Sequence, residues 1–313
     1  MMRHKTLGDT GERLSEIGIG TWKMGINPEK ETLALQSALD DGINLIDTAE
    51  MYATEAIVAK AVEARKGVFI ATKVSPNHFK YNDLINSCDA SLRRLAVGQI
   101  DLYQLHWPNH RISIKETMRA MEDLAEDGKI RHIGVSNFSV NELIEAQTAM
   151  DRYEIVSNQV EYSVLTREIE EDLLDFCEDN KITIIAYSPF GTGLLFDNRY
   201  RKTFDALDMI GKRHNKTAVQ VALNWLTSKK GVIAIPKTSD LDHVNEIIGA
   251  SGWKLSKSEI NEINSLSQRK APLGGFLKPV LKGTSMWAGA MQSFNEKRIA
   301  ARQNRNTAMS SKK

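Results

Sequence analysis

Apolar and polar residues follow two periods along this chain, and the two periods alternate. Short apolar runs recur, and the longer segments between them carry apolar residues three or four positions apart. The short runs predict buried strands and the longer segments predict amphipathic helices. The run Ile182–Ile185 does not alternate strictly, which is typical of a parallel strand covered on both faces. The predicted strands are Ile17–Trp22, Asn44–Ala49, Val68–Val74, Asp101–Trp107, His132–Asn137, Ile155–Val160, Ile182–Ser188 and Val232–Lys237.

Each predicted strand is followed by a predicted helix. The helices are Glu31–Asp40, Glu55–Ala64, Tyr81–Leu95, Ile114–Glu126, Val140–Met150, Glu168–Glu178, Thr217–Ser228 and Leu241–Ala250. Eight strand–helix units, most of them about 25–35 residues apart, are what a (β/α)8 barrel requires. We therefore predict an α/β fold of the TIM-barrel type.

Further elements are predicted outside the eight units. The sequence Gly8-Asp9-Thr10-Gly11 predicts a β-hairpin within Lys5–Leu14 that caps the bottom of the barrel. Two added helices are predicted at Phe204–His214 and at Ser256–Leu266. Because no Pro/Gly/Ser-rich linker precedes residue 270, we expect one barrel domain over residues 1–270. Residues 271–313 form a C-terminal extension that is part of the same domain or disordered.

A doubly wound sheet that binds a dinucleotide is the alternative for alternating strands and helices. Its first strand would be followed by the sequence GxGxxG at the start of a helix. The nearest match, Gly18-Ile19-Gly20-Thr21-Trp22-Lys23, lacks the third glycine and opens no helix. The sequence therefore favours the barrel.

Composition narrows the classes of function. The chain has 41 Lys and Arg residues against 40 Asp and Glu residues, whereas a protein that neutralises nucleic-acid phosphates is normally basic. Cys88 and Cys177 are too few for a disulfide framework or a thiolate metal site, which favours a reducing cytoplasm. No apolar signal-peptide core opens the chain, and no apolar run approaches the length of a membrane span. We expect no nucleic-acid partner, no membrane and no metal.

Four polar residues of different chemistry fall near the ends of neighbouring predicted strands. Asp47, Lys73 and His106 end the second, third and fourth strands, and Tyr52 follows in the turn after the second. In a (β/α)8 barrel these ends converge on one mouth, where catalytic residues lie. Alone, each residue has an ordinary structural explanation as a helix cap, a solvated lysine, a packed core histidine or a lid residue. Together they favour a catalytic site.

This combination suggests proton transfer to a carbonyl group. A free tyrosine, with a pKa of about 10, is a weak acid at neutral pH, but an ammonium within hydrogen-bond distance would lower that pKa. A carboxylate would keep a buried lysine charged, and a histidine could donate a hydrogen bond to the substrate oxygen. Carbonyl reduction of this kind needs a source of hydride.

Motifs along most of the chain resemble those of the aldo-keto reductases. They run in family order from about residue 5 to residue 268 and comprise Asp47-Thr48-Ala49-Glu50-Met51-Tyr52, Thr72-Lys73, Asp101-Leu102-Tyr103-Gln104-Leu105-His106-Trp107-Pro108, Gly134-Val135-Ser136-Asn137-Phe138, Asn158-Gln159-Val160-Glu161-Tyr162, Ala186-Tyr187-Ser188-Pro189 and Ile235-Pro236-Lys237. The resemblance implies that Tyr52 is the general acid–base and that Lys73 tunes it. It also implies that Asp47 holds Lys73 and that His106 orients the carbonyl. Steroid 5β-reductases of the family carry glutamate in place of this histidine, so His106 favours carbonyl over C=C reduction.

The resemblance also implies a nicotinamide cofactor, bound in the family's extended manner. Ser136, Asn137 and Gln159 match the residues that bind the carboxamide, and Tyr187 matches the aromatic residue that stacks on the ring. Ser136-Asn137 also suits the start of the helix from Val140. The remaining implied contacts are Gly20, Thr21 and Trp22 near the ribose and Ser188, Gly191 and Gly193 at the pyrophosphate.

The residues after the last strand bear on the choice between NADP(H) and NAD(H). Lys237, Thr238 and Ser239 match the family's cluster around the adenosine 2′-phosphate. His243 stands where an arginine is common, and Glu246 follows it. A neutral imidazole stacks on adenine but lacks the fixed charge and paired donors of a guanidinium. We expect NADP(H), with a weakened preference that leaves NAD(H) open.

Two functions are compatible with these residues. The first is an NADP(H)-dependent reductase of aldehydes, sugars or ketones, acting on a small-molecule carbonyl. Its expected pocket wall comprises Trp22, Met51, His78 and Trp107, with Phe190 as a further candidate. The second is a nicotinamide-binding accessory or sensor protein that uses the same barrel as a docking module. The four catalytic-type residues favour the enzyme.

The C-terminal extension departs from the pattern of the family. Residues 282–313 contain seven Lys and Arg residues and one acid, and Ser293-Phe294-Asn295-Glu296 predicts the start of a helix of about ten residues. The segment is either a solvated basic tail or a docked one. In the docked case Met286 and Trp287 fold over the pocket, and the helix docks elsewhere, including on a second subunit of a homo-oligomer.

Overall fold

The barrel is built from parallel strands that pair in chain order. This computed structural model describes residues 1–266 and 285–310, and within those residues the sheet has eight strands. They are β3 (Ile19–Gly20), β4 (Leu45–Asp47), β5 (Phe69–Val74), β6 (Ile100–Leu105), β7 (Ile130–Ser136), β8 (Ile155–Glu161), β9 (Thr183–Tyr187) and β10 (Val232–Ile235). Parallel bridges from Ile17 to Ala234 and from Gly20 to Lys237 bring the first and last strands together. The predicted TIM barrel is confirmed.

The predicted N-terminal hairpin is confirmed as well. It consists of β1 (His4–Thr6) and β2 (Arg13–Ser15), which pair antiparallel. Leu7 and Leu14 are fully buried in one cluster with apolar residues from the lower half of the barrel interior, such as Leu45 and Phe69. The hairpin therefore closes the bottom of the barrel with apolar side chains.

Helices surround the barrel. They are α1 (Pro28–Asp40), α2 (Glu55–Val62), α3 (Tyr81–Leu95), α4 (Ile114–Glu126), α5 (Val140–Thr148), α6 (Leu173–Asp179), α7 (Arg201–Arg213), α8 (Ala218–Ser228), α9 (Leu241–Ile248), α10 (Lys257–Asn264) and α11 (Ser285–Ser310). The two predicted added helices correspond to α7 and α10. Ser256 and Glu259 form a capping box at the start of α10. Among residues 1–266 and 285–310, no helix is long and apolar enough to cross a membrane.

The predicted helix Glu168–Glu178 is divided in the structure. Residues Glu168–Glu171 form a 3-10 turn, and α6 begins only at Leu173. Arg167 and the Tyr162 hydroxyl both donate to the Glu170 carboxylate, which ties this turn to the end of β8. Hydrogen bonds from residues that precede the turn therefore accompany the break in the helical pattern.

Side chains inside the barrel change from apolar at the bottom to polar at the top. Because alternate residues of a strand face the same side, Asp47 follows Leu45 on the interior, and Gln104 and His106 follow Leu102. Lys73 lies at the same level on β5, fully buried. The strands thus deliver charged and polar groups to their carboxyl ends.

The C-terminal helix α11 is longer than predicted and packs on its own barrel. It is continuous from Ser285 to Ser310, so Ser293 lies within it and does not cap it. Phe294 is fully buried against Phe176 of α6, and Arg298 donates to the carbonyl of Ile155 at the start of β8. The helix therefore contacts the end of the barrel opposite the strand carboxyl ends.

Parts of the extension are not described. Residues 267–284 and the side chains of Met286 and Trp287 lie outside the described residues. The placement of these two side chains over the pocket, and a homo-oligomer formed through the extension, stay predictions.

Candidate active site

Asp47 and Lys73 form an ion pair inside the barrel. Lys73 Nζ donates to Asp47 Oδ1 at 2.5 Å and to the carbonyl of Thr48 at 2.9 Å. Both side chains are almost completely buried. Burial lowers the pKa of Lys73, because the ammonium loses hydration, and the charge of Asp47 opposes this effect. The structure thus brings the predicted carboxylate and ammonium into direct contact.

The second oxygen of Asp47 accepts hydrogen bonds from two amides. Gln159 Nε2 donates to Asp47 Oδ2 at 2.8 Å, and Gln104 Nε2 donates to the same atom at 3.3 Å. The sequence did not single out Gln104. Its signal was a glutamine in a buried strand, two residues before His106 and so on the same face.

Tyr52 and His106 meet beside this pair. The Tyr52 hydroxyl and His106 Nε2 are 3.2 Å apart. Burial, reinforced by the charge of Asp47, raises the pKa of Tyr52, so its hydroxyl is protonated at neutral pH. Burial and the charge of Lys73 lower the pKa of His106 to about 3, so its imidazole is neutral. Two uncharged groups that can donate protons or hydrogen bonds therefore lie together.

One electrostatic expectation is corrected. The sequence predicts that Lys73 lowers the pKa of Tyr52 through a hydrogen bond, whereas the structure raises that pKa. Lys73 Nζ lies 5.0 Å from the centroid of the Tyr52 ring, and its hydrogen bonds go to Asp47 and Thr48. Asp47 offsets the ammonium, so burial of the phenol dominates. Tyr52 is therefore held as a protonated phenol at neutral pH.

A cavity of about 520 Å³ opens above these groups. Predicted residues on its wall are Gly20, Trp22, Asp47, Tyr52, His106, Trp107, Ser136, Asn137, Gln159, Tyr187, Ser188, Phe190, Gly193 and Lys237. Thr192, from the predicted pyrophosphate loop Gly191-Thr192-Gly193, lines it as well, and so do Lys23, Pro189 and Ile235, which were not predicted as site residues. Trp22 and Trp107 are 44% and 42% exposed, so indole rings form part of the mouth.

Some predicted residues lie off this wall. Met51 is 57% exposed beyond it, and His78 Nδ1 contacts the Glu50 carboxylate at 2.9 Å. Thr21 is buried with its hydroxyl 2.9 Å from that of Thr54. Gly191 is buried behind the loop that supplies Thr192 and Gly193 to the wall. The structure does not bring Met51 and His78 to the substrate side of the cavity.

Asn137 connects three strand ends around the cavity. Its Nδ2 donates to the carbonyl of His106 at 3.1 Å and to Ser136 Oγ at 3.0 Å, while Oδ1 accepts from the Tyr187 hydroxyl at 2.9 Å. Asn137 has a left-handed backbone, with φ of 63°, which asparagine tolerates better than most residues. The Tyr187 ring is therefore fixed in the cavity wall.

A group suited to an anion lies at the end of the cavity. Lys237 Nζ is 3.1 Å from Ser239 Oγ at the surface, and within the described residues Lys237 has no acidic partner. The helix α9 begins at Leu241, and the N-terminus of a helix favours negative charge. Thr238 instead binds the backbone of Asp240. His243 and Glu246 lie on α9, off the cavity wall.

These residues fit a nicotinamide dinucleotide phosphate. The cavity offers the Tyr187 ring and amide and hydroxyl groups at its inner end. At its outer end it offers the Lys237 ammonium beside the Ser239 hydroxyl, with no acidic partner among residues 1–266 and 285–310. Gln159 Oε1 accepts no hydrogen bond from the described residues and is not fully buried, so it is free to accept one from a ligand. The chemistry of this set matches an aromatic amide at one end and a phosphate at the other.

Comparison with known proteins agrees with this geometry. The model of the aldo/keto reductase family matches residues 16–268. The chain is 37% identical to methylglyoxal reductase YeaE of Escherichia coli, over 83% of this chain and 93% of that protein. It is 34% identical to glyoxal reductase of Bacillus subtilis, over 82% of this chain and 91% of that protein.

A solved structure shows the same fold. An aldo/keto reductase from Klebsiella pneumoniae, crystallised with NADP and acetate, superposes with a TM-score of 0.78 at 32% identity, over 88% of this chain and 99% of that one. The family match spans more than half of the chain. It includes the Asp47–Lys73 ion pair together with Tyr52 and His106. The chain is therefore an oxidoreductase that belongs to the aldo/keto reductase family.

Proposed function

We propose that this protein reduces small aldehydes with NADPH and that Tyr52 donates the proton. The observation that carries the proposal is the 3.2 Å contact between the Tyr52 hydroxyl and His106 Nε2 beside the buried Lys73–Asp47 pair. A carbonyl oxygen placed between these two groups would accept hydrogen bonds from both. The raised pKa of Tyr52 keeps its hydroxyl protonated, so the proton to be donated is present at neutral pH.

Each neighbouring residue supports this step. The neutral imidazole of His106 orients the carbonyl oxygen without competing for the proton, since burial lowers its pKa to about 3. Lys73 lies under the Tyr52 ring and stabilises the phenolate left after proton donation. Asp47 keeps the buried ammonium paired, which avoids an isolated charge in the barrel.

The proposed cofactor site uses the outer and inner ends of the cavity. Lys237 and Ser239 would hold the 2′-phosphate, and Tyr187, Asn137 and Gln159 would hold the nicotinamide. When bound, the reduced nicotinamide supplies the hydride that goes to the carbonyl carbon. NADP in the Klebsiella pneumoniae structure supports this choice, as does the ammonium of Lys237, which has no acidic partner in the described part of the chain.

The names of two relatives and the shape of the cavity mouth both support small aldehydes as the substrate class. The relatives from Escherichia coli and Bacillus subtilis are named for the reduction of methylglyoxal and glyoxal. Trp22 and Trp107 leave the mouth partly open, and their rings give apolar walls to a small aldehyde. Both named compounds are therefore suitable first substrates.

The test follows NADPH oxidation at 340 nm with methylglyoxal and glyoxal. We expect Tyr52→Phe to lower kcat by about 10²–10⁴-fold while NADPH still binds. Tyr81→Phe is the matched control, because the Tyr81 hydroxyl binds Asp123 on the outer helices. It should retain wild-type kcat.

The same assay contains the outcomes that oppose the proposal. Turnover by Tyr52→Phe at the wild-type rate would refute proton donation by Tyr52. Tight NADPH binding without turnover of any aldehyde would favour a cofactor sensor. Comparison of NADPH with NADH tests whether Lys237 and Ser239 suffice for 2′-phosphate selection with His243 beside them.

A further inference from the structure

A closed set of hydrogen bonds links Gln104 to the ion pair and to the cavity wall. Asp47 Oδ2 accepts from Gln159 Nε2 at 2.8 Å and from Gln104 Nε2 at 3.3 Å. Gln159 Nε2 also donates to Gln104 Oε1 at 3.4 Å. Gln104 is fully buried and does not line the cavity, whereas Gln159 does.

The donors and acceptors in this set fix the direction of both amides. A carboxylate only accepts hydrogen bonds, so each glutamine must turn its NH₂ group toward Asp47. Gln104 then has its carbonyl oxygen left over, and this oxygen takes the second N–H of Gln159. Both N–H bonds of Gln159 are thereby used, and Oε1 is the atom that remains for a ligand.

We propose that Gln104 is a positioning residue that orients the Gln159 amide, so that Gln159 presents an acceptor to the carboxamide N–H of the nicotinamide. Without Gln104, one N–H of Gln159 would lack an acceptor. The NH₂ group would still face Asp47, but the amide plane could rotate about this single hydrogen bond and turn Oε1 away from the carboxamide. This inference rests on the proposed use of a nicotinamide cofactor. It assigns to Gln104 a role in cofactor recognition without contact with the cofactor.

The test compares NADP⁺ with its 3-acetylpyridine analogue, in which an acetyl group replaces the carboxamide and removes its N–H bonds. Binding is measured by quenching of tryptophan fluorescence, since Trp22 and Trp107 line the cavity. The wild type should prefer NADP⁺ by roughly 10-fold, the typical effect of one hydrogen bond. In Gln104→Met, which keeps the length but neither polar atom, the preference should fall to about 2-fold or less.

A matched control distinguishes a loss of amide positioning from the general destabilisation that follows removal of any buried amide. Gln147 is also fully buried, and its side chain bonds the backbone of Tyr153 and Ile155, outside the cavity. Gln147→Met should lower thermal stability and keep the wild-type preference for NADP⁺. If Gln104→Met does not fold, Gln104→Asn tests the same point, because the shorter side chain cannot reach both Asp47 and Gln159.

The outcomes distinguish the inference from the function on which it rests. A wild-type preference in Gln104→Met would overturn the role of Gln104 and leave the reductase proposal intact. Equal binding of NADP⁺ and the analogue by the wild type would do the same. Failure of the wild type to bind either compound would overturn both proposals. Loss of preference in Gln104→Met, with retention in Gln147→Met, supports the inference.

Discussion

The pKa values of single residues in this site are set by burial more than by the nearest charged group. Tyr52 lies beside an ammonium, yet its pKa is raised, because the phenol is buried and Asp47 offsets Lys73. Burial also keeps His106 neutral, with the Lys73 charge adding to the effect. At this scale the sequence named side chains that the structure brings together, but it gave the wrong direction for the pKa of Tyr52, since desolvation depends on everything packed around a group.

The neutral state of His106 has a measurable effect on stability. Its pKa is about 3 in the folded protein and about 6.5 when unfolded, so the unfolded chain binds more protons between these values. Stability from this group is therefore complete above pH 6.5 and is lost as the pH falls toward 3. Between pH 7 and pH 5 the loss amounts to about 2 kcal/mol.

Urea denaturation at pH 7 and pH 5 measures this effect. His106→Gln has no titrating group at this position, so its free energy of unfolding should fall by about 2 kcal/mol less than that of the wild type over this interval. An identical pH dependence in both proteins would contradict the neutral, buried state of His106.

The elements of the fold differ in how well local sequence predicts them. The hairpin of β1 and β2 and the eight strand–helix units follow from short-range patterns of turns and apolar residues. The division of Glu168–Glu178 depends on Arg167 and Tyr162, which reach Glu170 from outside the helix. Local periodicity predicts which elements exist, whereas contacts between elements set where they begin and end.

The hairpin should contribute to stability and not to catalysis. Leu14→Ala removes a fully buried side chain from the bottom of the barrel, and it should lower the free energy of unfolding by about 2–5 kcal/mol. Leu33→Ala on α1, where the leucine is 58% exposed, is the control and should change it by less than about 0.5 kcal/mol. Urea denaturation measures both.

The same variant should leave the kinetics of the enzyme unchanged. The hairpin lies at the opposite end of the barrel from the cavity, so the folded Leu14→Ala variant should keep wild-type kcat and KM at 25 °C. A specific loss of activity in fully folded protein would show that the bottom of the barrel influences the site.

In the whole molecule, α11 joins the C-terminal segment to parts of the chain that are distant in sequence. Phe294 packs on Phe176, and Arg298 and Arg302 both pair with the buried Glu154. Arg302 also pairs with Asp9 in the hairpin loop. The helix thus fastens the α5–β8 connection, α6 and the hairpin to one another, away from the cavity.

Deletion of residues 293–313, which retains Met286 and Trp287, should therefore destabilise the protein without changing the site. The loss of the Phe294 side chain alone predicts a decrease in the free energy of unfolding of about 3–5 kcal/mol. The KM values for aldehyde and for NADPH should stay within about 2-fold of wild type, which corresponds to a change in binding free energy of less than about 0.5 kcal/mol. Thermal denaturation and steady-state kinetics measure these two effects.

The two cysteines provide an internal control for this deletion. Cys177 on α6 is buried and close enough to Arg298 for that charge to act on its thiol. Deletion of residues 293–313 should increase its rate of reaction with a disulfide reagent. Cys88, buried on α3, should remain unreactive. Equal reactivity of Cys177 with and without residues 293–313 would contradict the observed packing.

The sequence by itself determined the barrel, the hairpin and the grouping of Tyr52 and His106 with the Asp47–Lys73 ion pair. Strand and helix periods are local properties, and the barrel topology then forces the carboxyl ends that carry Asp47, Lys73 and His106 to one mouth. Only the tertiary structure decided that Gln104 and Gln159 share Asp47, that the buried Tyr52 hydroxyl stays protonated and that α11 packs on its own barrel. These features depend on burial and on contacts between residues far apart in the chain, which no local pattern specifies.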